Sequence, residues 1–255
     1  MLTRLDSSRY AITRDNVRKA FPEAQPNVVD EIVRSAYGNL GITLIELLAM
    51  SHASKQDILA RIAIPGIDVL ERRAARGEPS VLMSGHYGNW ELLALAGALM
   101  AKVPFTIVVH PQHNAKADKF LNAIRTRFGN IIVPMGQAAR PLVTAMQKGG
   151  TVAFLADQYA DPLVNRPVVF FGRETPTFEA PAALALRYKA PMFAAYAQRQ
   201  SDGTYVAPFH EIPSADLDAS AEGIAELTRR HVLDLEDIIR AEPGQWSWQH
   251  RRWRT

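Results

Sequence analysis

From Pro79 onward, short apolar runs alternate with stretches of helical periodicity, and this pattern constrains the fold more than any other feature of the chain. Val81–Ser84, Phe105–Val109, Ile131–Pro134 and Val152–Ala156 are too short for buried helices and read as buried strands. Between them, Trp90–Ala101, Ala115–Phe128 and Ala138–Gln147 read as helices. Strands that recur with a helix between each pair are the signature of a mostly parallel α/β sheet with crossover helices on both faces. A further helix (Ala180–Lys189), two strands (Met192–Arg199 and Tyr205–Ile212) and a long helix (Ala219–Arg240) complete the layer.

The first 75 residues read as purely helical and are expected to cap this layer, with 76–255 as the α/β core and 1–255 as one domain. Within the cap, Val29, Ile32, Val33, Ala36, Leu40, Leu44 and Leu47 recur at three- and four-residue steps. After Gly41 the stripe widens through Ile42, Ile45 and Leu48, so this helix is either clasped by the core or touches lipid or a partner. Glu46 interrupts the run Leu40–Met50, and Lys102 ends Leu92–Ala101, leaving nothing near the ~18 apolar residues of a spanning helix. The start, MLTRLDSSRYAITRDN, lacks the apolar centre of a secretory signal, so a cytoplasmic protein with at most peripheral membrane contact is expected. The chain has no cysteine, which removes thiolate metal sites and any Cys nucleophile. Its net charge of +3 is compatible with an acidic partner or membrane surface without requiring either.

Nucleotide signatures are absent: there is no Gly-x-x-x-x-Gly-Lys-Ser/Thr loop, no Gly-x-Gly-x-x-Gly, and no Gly-x-Ser-x-Gly elbow of a serine hydrolase. What concentrates chemistry is Gly85-His86-Tyr87-Gly88-Asn89-Trp90-Glu91, directly after a buried strand and opening a helix. On one helix His86 and Glu91 would point about 140° apart. With His86 in the preceding turn and Glu91 in the first helical turn, however, the two side chains are able to meet, and Asn89 is placed to cap the helix. A carboxylate against an imidazole fixes its tautomer, as a general base requires. Asp157 and Gln158 close another buried strand and are expected at the same sheet edge, where open α/β sheets place their ligands. There Asp157 would anchor an arginine, order an acceptor site or merely form a strand-end turn.

Several motifs, in order, resemble the lysophospholipid acyltransferase superfamily and within it the bacterial late lipid A acyltransferases. They are NVRKAFPE (16–23), GHYGNWE with its His-x4-Glu spacing, the block 114–129 ending in IRTRFG, Ala156-Asp157-Gln158, Phe170-Phe171-Gly172 with Thr177, and the closing QWSWQHRRW. The resemblance implies a glycerol-3-phosphate acyltransferase-like fold and transfer of a fatty acyl chain from a thioester donor, acyl carrier protein or acyl-CoA, to a hydroxyl of a membrane lipid or lipid A-type glycolipid. His86 would take the proton and Glu91 would orient His86, with no covalent enzyme intermediate and no cofactor beyond the co-substrate. Backbone N–H groups near Asn89 and Trp90 are candidates for the oxyanion. Arg125 and Arg127 match the arginine block that helps hold phosphate or donor, and Asn89, Asp157, Gln158, Phe171, Gly172 and Thr177 join them as candidate substrate-binding residues, with Phe171 and Gly172 on the acyl channel.

Five cations between Lys102 and Asn130 face only Asp118, which suits a lipid phosphate, a coenzyme A phosphate or an acidic carrier protein. The run Trp246, Trp248, His250, Arg251, Arg252, Trp253, Arg254 suits the boundary between headgroups and acyl chains. Nearby Glu236, Asp237 and Glu242 argue against nucleic acid. With the resemblance, this implies a peripheral location on the inner face of the inner membrane. Members of this branch usually open with a hydrophobic anchor helix, whereas this chain begins almost at the FPE signature. Two rival readings are a lipid- or acyl-carrier-binding module without turnover, and a metal-dependent hydrolase using His110, His113, His86 and Asp157. No metal is expected.

Overall fold

The computed structural model describes residues 7–253. The chain opens with α1 (Ser7–Ala20), α2 (Pro26–Met50), α3 (Lys55–Leu59), β1 (Ile62–Ala63) and α4 (Val69–Ala75). Next, β2 (Ser80–Ser84), α5 (Trp90–Ala101), β3 (Phe105–Val109), α6 (Ala115–Thr126), β4 (Ile131–Pro134), α7 (Ala139–Gln147) and β5 (Thr151–Leu155) alternate as expected. After them come β6 (Pro167–Phe170), β7 (Arg173–Pro176), α8 (Ala180–Arg187), β8 (Met192–Ala194), β9 (Gln198–Arg199), β10 (Tyr205–Val206), β11 (His210–Ile212) and α9 (Ala221–Ala241).

The six-stranded main sheet has the order β11-β8-β2-β5-β3-β4, parallel throughout except for β11 at one edge. Apolar side chains cover both faces, as a mostly parallel sheet with crossover helices demands. On one face Val81, Met83, Val152 and Phe154 pack with α1, the start of α2, α7, α8 and α9. On the other, Leu82, Phe105, Ile107 and Phe193 pack with α3, α4, α5 and α6. The chain is thus mixed α/β with helices on both faces.

Two expectations need correction. The first 75 residues are not purely helical, because β1 pairs in parallel with β10, which pairs with β9 in a small second sheet. The expected strands Met192–Arg199 and Tyr205–Ile212 are each divided between the two sheets. Pro208 lacks the N–H that an uninterrupted ladder would need.

The topology fixes where a site can form. β2 and β5 lie side by side with Ser84 opposite Leu155. The chain leaving β2 turns to the α5 face, while the chain leaving β5 passes to the opposite face and the β6–β7 hairpin. Connections that diverge from neighbouring parallel strands open a crevice at their C-terminal ends. His86 follows β2 and Asp157 follows β5 at matching heights.

Candidate active site

The turn after β2 is shaped by two glycines. Gly88 sits at φ +56, and a Cβ there would lie 1.6 Å from the Ala197 carbonyl oxygen. A Cβ on Gly85 would meet Leu235 at 2.8 Å and an Asp157 carboxylate oxygen at 3.1 Å. Side chains at either position would push the turn off its neighbours, so glycine is what lets Asp157 close on the backbone of this turn.

His86 Nδ1 lies 2.7 Å from Asp157 Oδ1, and the His86 backbone N–H donates to Asp157 Oδ2 at 2.7 Å. The Trp246 indole N–H donates to the same Oδ2 at 2.8 Å. Burial alone would raise the Asp157 carboxyl, but the charge of His86, the two His86 hydrogen bonds and the Trp246 bond hold it well below the usual carboxylate range. Asp157 is therefore a buried anion with each oxygen occupied, its side chain 1% exposed against 19% for His86. Since Nδ1–H is committed to Asp157, neutral His86 carries its lone pair on Nε2, which faces Gln158 Nε2 at 3.0 Å. The same amide nitrogen lies 2.6 Å from His250 Nε2. Burial, aided by the charge of His86, pushes the His250 imidazole down to about 4.

The carboxylate beside His86 is thus Asp157 and not Glu91, which corrects the expectation from the His-x4-Glu spacing. Glu91 lies buried in the first turn of α5, where its two oxygens take a bidentate pair from Arg125, Nη2 at 2.5 Å and Nε at 2.9 Å. It also accepts the Trp90 indole N–H at 3.2 Å. The Trp90 ring meets the His86 ring edge-on with centroids 5.0 Å apart, so Glu91 reaches the base at one remove.

The other candidate residues divide in the same way. Asn89 is fully buried and caps α5, its Oδ1 accepting from the Leu92 N–H while its amide donates to Glu46, so it is not open to substrate. Glu46, in the apolar half of α2, also takes Arg199, Arg61 and the Tyr205 hydroxyl. Arg125 is committed to Glu91. Arg127 donates to the carbonyls of Met50, the last residue of α2, and Ala53 beyond it and covers the Phe128 ring, while its side chain remains at the surface.

Phe171 does not line a channel. It is buried against Phe21, Phe170, Trp248 and Trp253, with Arg240 over its ring. Gly172, at φ 69, completes the β6–β7 turn. Thr177 is buried and accepts from Arg252 Nη2 at 2.9 Å. His110 and His113 are exposed in the segment before α6. Among the described residues, no group of three or more His, Cys, Asp or Glu is disposed to hold a metal ion.

The C-terminal run is the largest correction. Trp246, Trp248 and Arg252 are buried, so the segment is a strap packed into the core and not an exposed interfacial tail. Arg254 lies outside the described residues. The strap touches the site at four points: Trp246 on Asp157, the Ser247 N–H on the His86 carbonyl, His250 on the Gln158 amide and Arg252 on the Gln158 carbonyl. Asn16, from NVRKAFPE, holds the strap through the carbonyls of Trp248 and His250. Sequence reasoning gave His250 no role at the base, although the QHRR motif marked the place.

A histidine with an oriented, buried carboxylate at such a crevice can serve in proton transfer. A sequence family described as bacterial lipid A biosynthesis acyltransferase matches residues 1–255. A lipid A biosynthesis acyltransferase of Haemophilus influenzae is 22% identical over 237 residues, covering 91% of this chain and 72% of the relative. The chain belongs to the bacterial lipid A biosynthesis acyltransferase family and is an acyltransferase.

Proposed function

We propose that the chain transfers a fatty acyl group from a thioester donor, acyl carrier protein or acyl-CoA, to a hydroxyl of a lipid A-type acceptor, with His86 as general base and Asp157 as its orienting carboxylate. The observation that carries this is the 2.7 Å contact of His86 Nδ1 with buried Asp157, which leaves Nε2 as the basic atom of a partly exposed ring. His86 Nε2 takes the proton of the acceptor hydroxyl as its oxygen attacks the thioester carbonyl. Asp157 keeps the ring in the competent tautomer and stabilises the imidazolium that forms, as the carboxylate of a triad does. When the tetrahedral intermediate collapses, the C–S bond breaks and the thiolate leaves with the proton from Nε2. No enzyme nucleophile takes part, and the thioester co-substrate is the only helper the reaction needs. Glu91 acts as a positioning residue through Trp90 and the start of α5.

Contact with a lipid surface is supported by apolar side chains that lie open beside this site. On α2, Leu44, Ile45 and Leu48 are exposed, and α2 adjoins the catalytic turn through Thr43 on the Gly88 carbonyl and Glu46 on Asn89. Leu163 and Val164, 89% and 78% exposed, lie in the segment that follows Gln158. Such a surface suits peripheral attachment to a bilayer. No described helix is long and apolar enough to cross a membrane. Exposed Lys116 and Lys119 on α6 suit the phosphates of a donor or headgroup.

The test is acyl transfer from radiolabelled acyl-CoA and, separately, acyl carrier protein to lipid A precursors and lysophospholipids, with His86→Ala beside the wild type. Labelled lipid should form with wild type alone. More than about a tenth of wild-type turnover in the variant would remove His86 from the role of base.

A further inference from the structure

Gln158 places one amide nitrogen between two imidazoles, 3.0 Å from His86 Nε2 and 2.6 Å from His250 Nε2. The orientation of that amide follows from Asp157. With His86 neutral and its Nδ1–H committed to the carboxylate, Nε2 is an acceptor and must meet the N–H side of the amide. The second amide hydrogen then points at His250 Nε2, which is therefore an acceptor too and keeps its proton on Nδ1. The backbone of His250 is itself held, because its carbonyl accepts the Asn16 amide at 2.5 Å. The backbone of Gln158 is held as well, by Arg252 Nη1 on its carbonyl at 2.9 Å. The amide thus hangs from a held backbone and reaches a ring whose own backbone is held.

Its position is that of a reactant. An acceptor hydroxyl activated by His86 needs the place about 3 Å from Nε2 that the amide now holds. When the hydroxyl takes Nε2, one amide hydrogen is released beside the reacting carbonyl while the other stays on His250. In the turn after β2 the N–H groups of Tyr87 and Gly88 are not donors for that task, since they are spent on the carbonyls of Gly85 and Gln245.

We infer that Gln158, held by His250, is a side-chain hydrogen-bond donor to the oxyanion of the tetrahedral intermediate, and that it covers the base until the acceptor arrives. This rests on the reading of His86 as the base. As the acceptor oxygen bonds to the thioester carbon and its proton passes to Nε2, the carbonyl π pair moves onto oxygen and is met by the Gln158 N–H. On collapse the pair returns, the C–S bond breaks and the thiolate takes the proton. Gln158 is then a catalytic residue and His250 a positioning residue.

Two measurements test this. In wild-type protein labelled with ¹⁵N-histidine, long-range ¹⁵N–¹H correlation should show His250 protonated on Nδ1 and bare on Nε2, and Gln158→Met should move the Nε2 signals of both His86 and His250. A proton on His250 Nε2 overturns the arrangement, whatever the activity of the protein. In steady-state transfer from lauroyl-CoA or lauroyl-acyl carrier protein to a lipid A precursor, Gln158→Met should lower kcat by about 10²–10³ while KM for the donor stays within about threefold. His250→Leu should share the kcat loss, and His250→Asn, which keeps an acceptor, should recover part of it. A loss confined to KM, an unchanged kcat or a faster Gln158→Met enzyme would refute the donor role. Should His86→Ala instead match wild type, the reading of the base fails while the tautomer result still reports on the Gln158–His250 contact.

Discussion

Replacing Asp157 with asparagine changes one atom and separates the role of the carboxylate from its bulk. Asp157 Oδ2 receives two N–H groups, from the His86 backbone and Trp246, whereas Oδ1 receives only the ring Nδ1–H. An asparagine keeps the larger number of bonds by placing its oxygen at the Oδ2 position, which turns its NH₂ toward His86 Nδ1. A donor facing a donor is untenable in a site this buried, so the ring shifts its proton to Nε2 and offers Nδ1 as acceptor. The base is then protonated at the atom that should receive the proton. In a hydrolase triad the same tautomer error costs about 10⁴-fold, or about 5.4 kcal/mol at 1.36 kcal/mol per decade. Stability should change far less, because the two bonds to the oxygen survive, weakened by loss of the charge, and the third re-forms with its direction reversed, leaving a loss of about 1–3 kcal/mol. The assay pairs acyl-transfer kcat with a thermal melt and the ¹⁵N tautomer of His86. Turnover within tenfold of wild type in a folded Asp157→Asn protein would refute the reasoning.

Two further outcomes follow from buried and half-buried pairs. Glu91→Ala leaves the guanidinium of Arg125, itself 15% exposed, without its bidentate partner, and breaking such a pair should lower stability by about 3–5 kcal/mol, read as a drop in Tm of roughly 10 °C; an unchanged Tm would show that the pair is replaceable by water. On α9 and β11, the hydrogen bond from His210 to Asp234 at 2.7 Å raises the His210 imidazole above its ordinary value against partial burial. Because the folded value lies above the unfolded one, this contribution is complete below about pH 6.5 and is lost as pH rises through the folded value. The Tm gap between wild type and His210→Gln should therefore narrow from about pH 5.5 to about pH 9, and a constant gap would contradict the assignment.

The sheet was legible because buried parallel strands are continuously apolar, as in the runs ending at Ser84, Val109 and Ala156; the run Ile131–Pro134, expected to be buried, is an edge strand with Ile131 exposed. The β6–β7 hairpin was not legible, for a reason visible at its turn. Phe171 and Gly172 both take positive φ, 51° and 69°, in a two-residue loop that ordinarily announces itself with Asn-Gly or Gly-Gly. A phenylalanine in that conformation is held by tertiary contacts: its N–H donates to Glu236 at 2.6 Å, and its ring is enclosed by Phe21, Trp248 and Arg240. Local sequence carries no trace of that support, so Phe170-Phe171-Gly172 read as an apolar channel loop.

The site divides along the same line between local and distant information. His86 is marked by its glycine-flanked place between strand and helix, and Asp157 by its place at a strand end; parallel register then brings both to one height. Which carboxylate meets the imidazole is a different question, decided by residues far along the chain. Glu91 is drawn off by Arg125, delivered by the crossover through β3 to α6, and the vacancy at His86 is filled from β5. The strap makes the same point more strongly. An aromatic and cationic segment has one composition whether it lies on lipid or in a core, and the choice rests on whether buried partners exist for its polar atoms. Here most have one: Asp157 for Trp246, the Pro243 carbonyl for Trp248, Thr177 and the Pro176 carbonyl for Arg252, and Thr175 for Trp253, while Arg252 Nε and Gln249 Nε2 stay unpaired among the described residues. Asp157, Thr175, Pro176 and Thr177 all lie between β5 and α8, so the strap was determined by residues that read individually as substrate contacts or as nothing at all. The geometry around His86 is a property of the assembled chain, with the GHYGNWE motif supplying only the base and the turn that presents it.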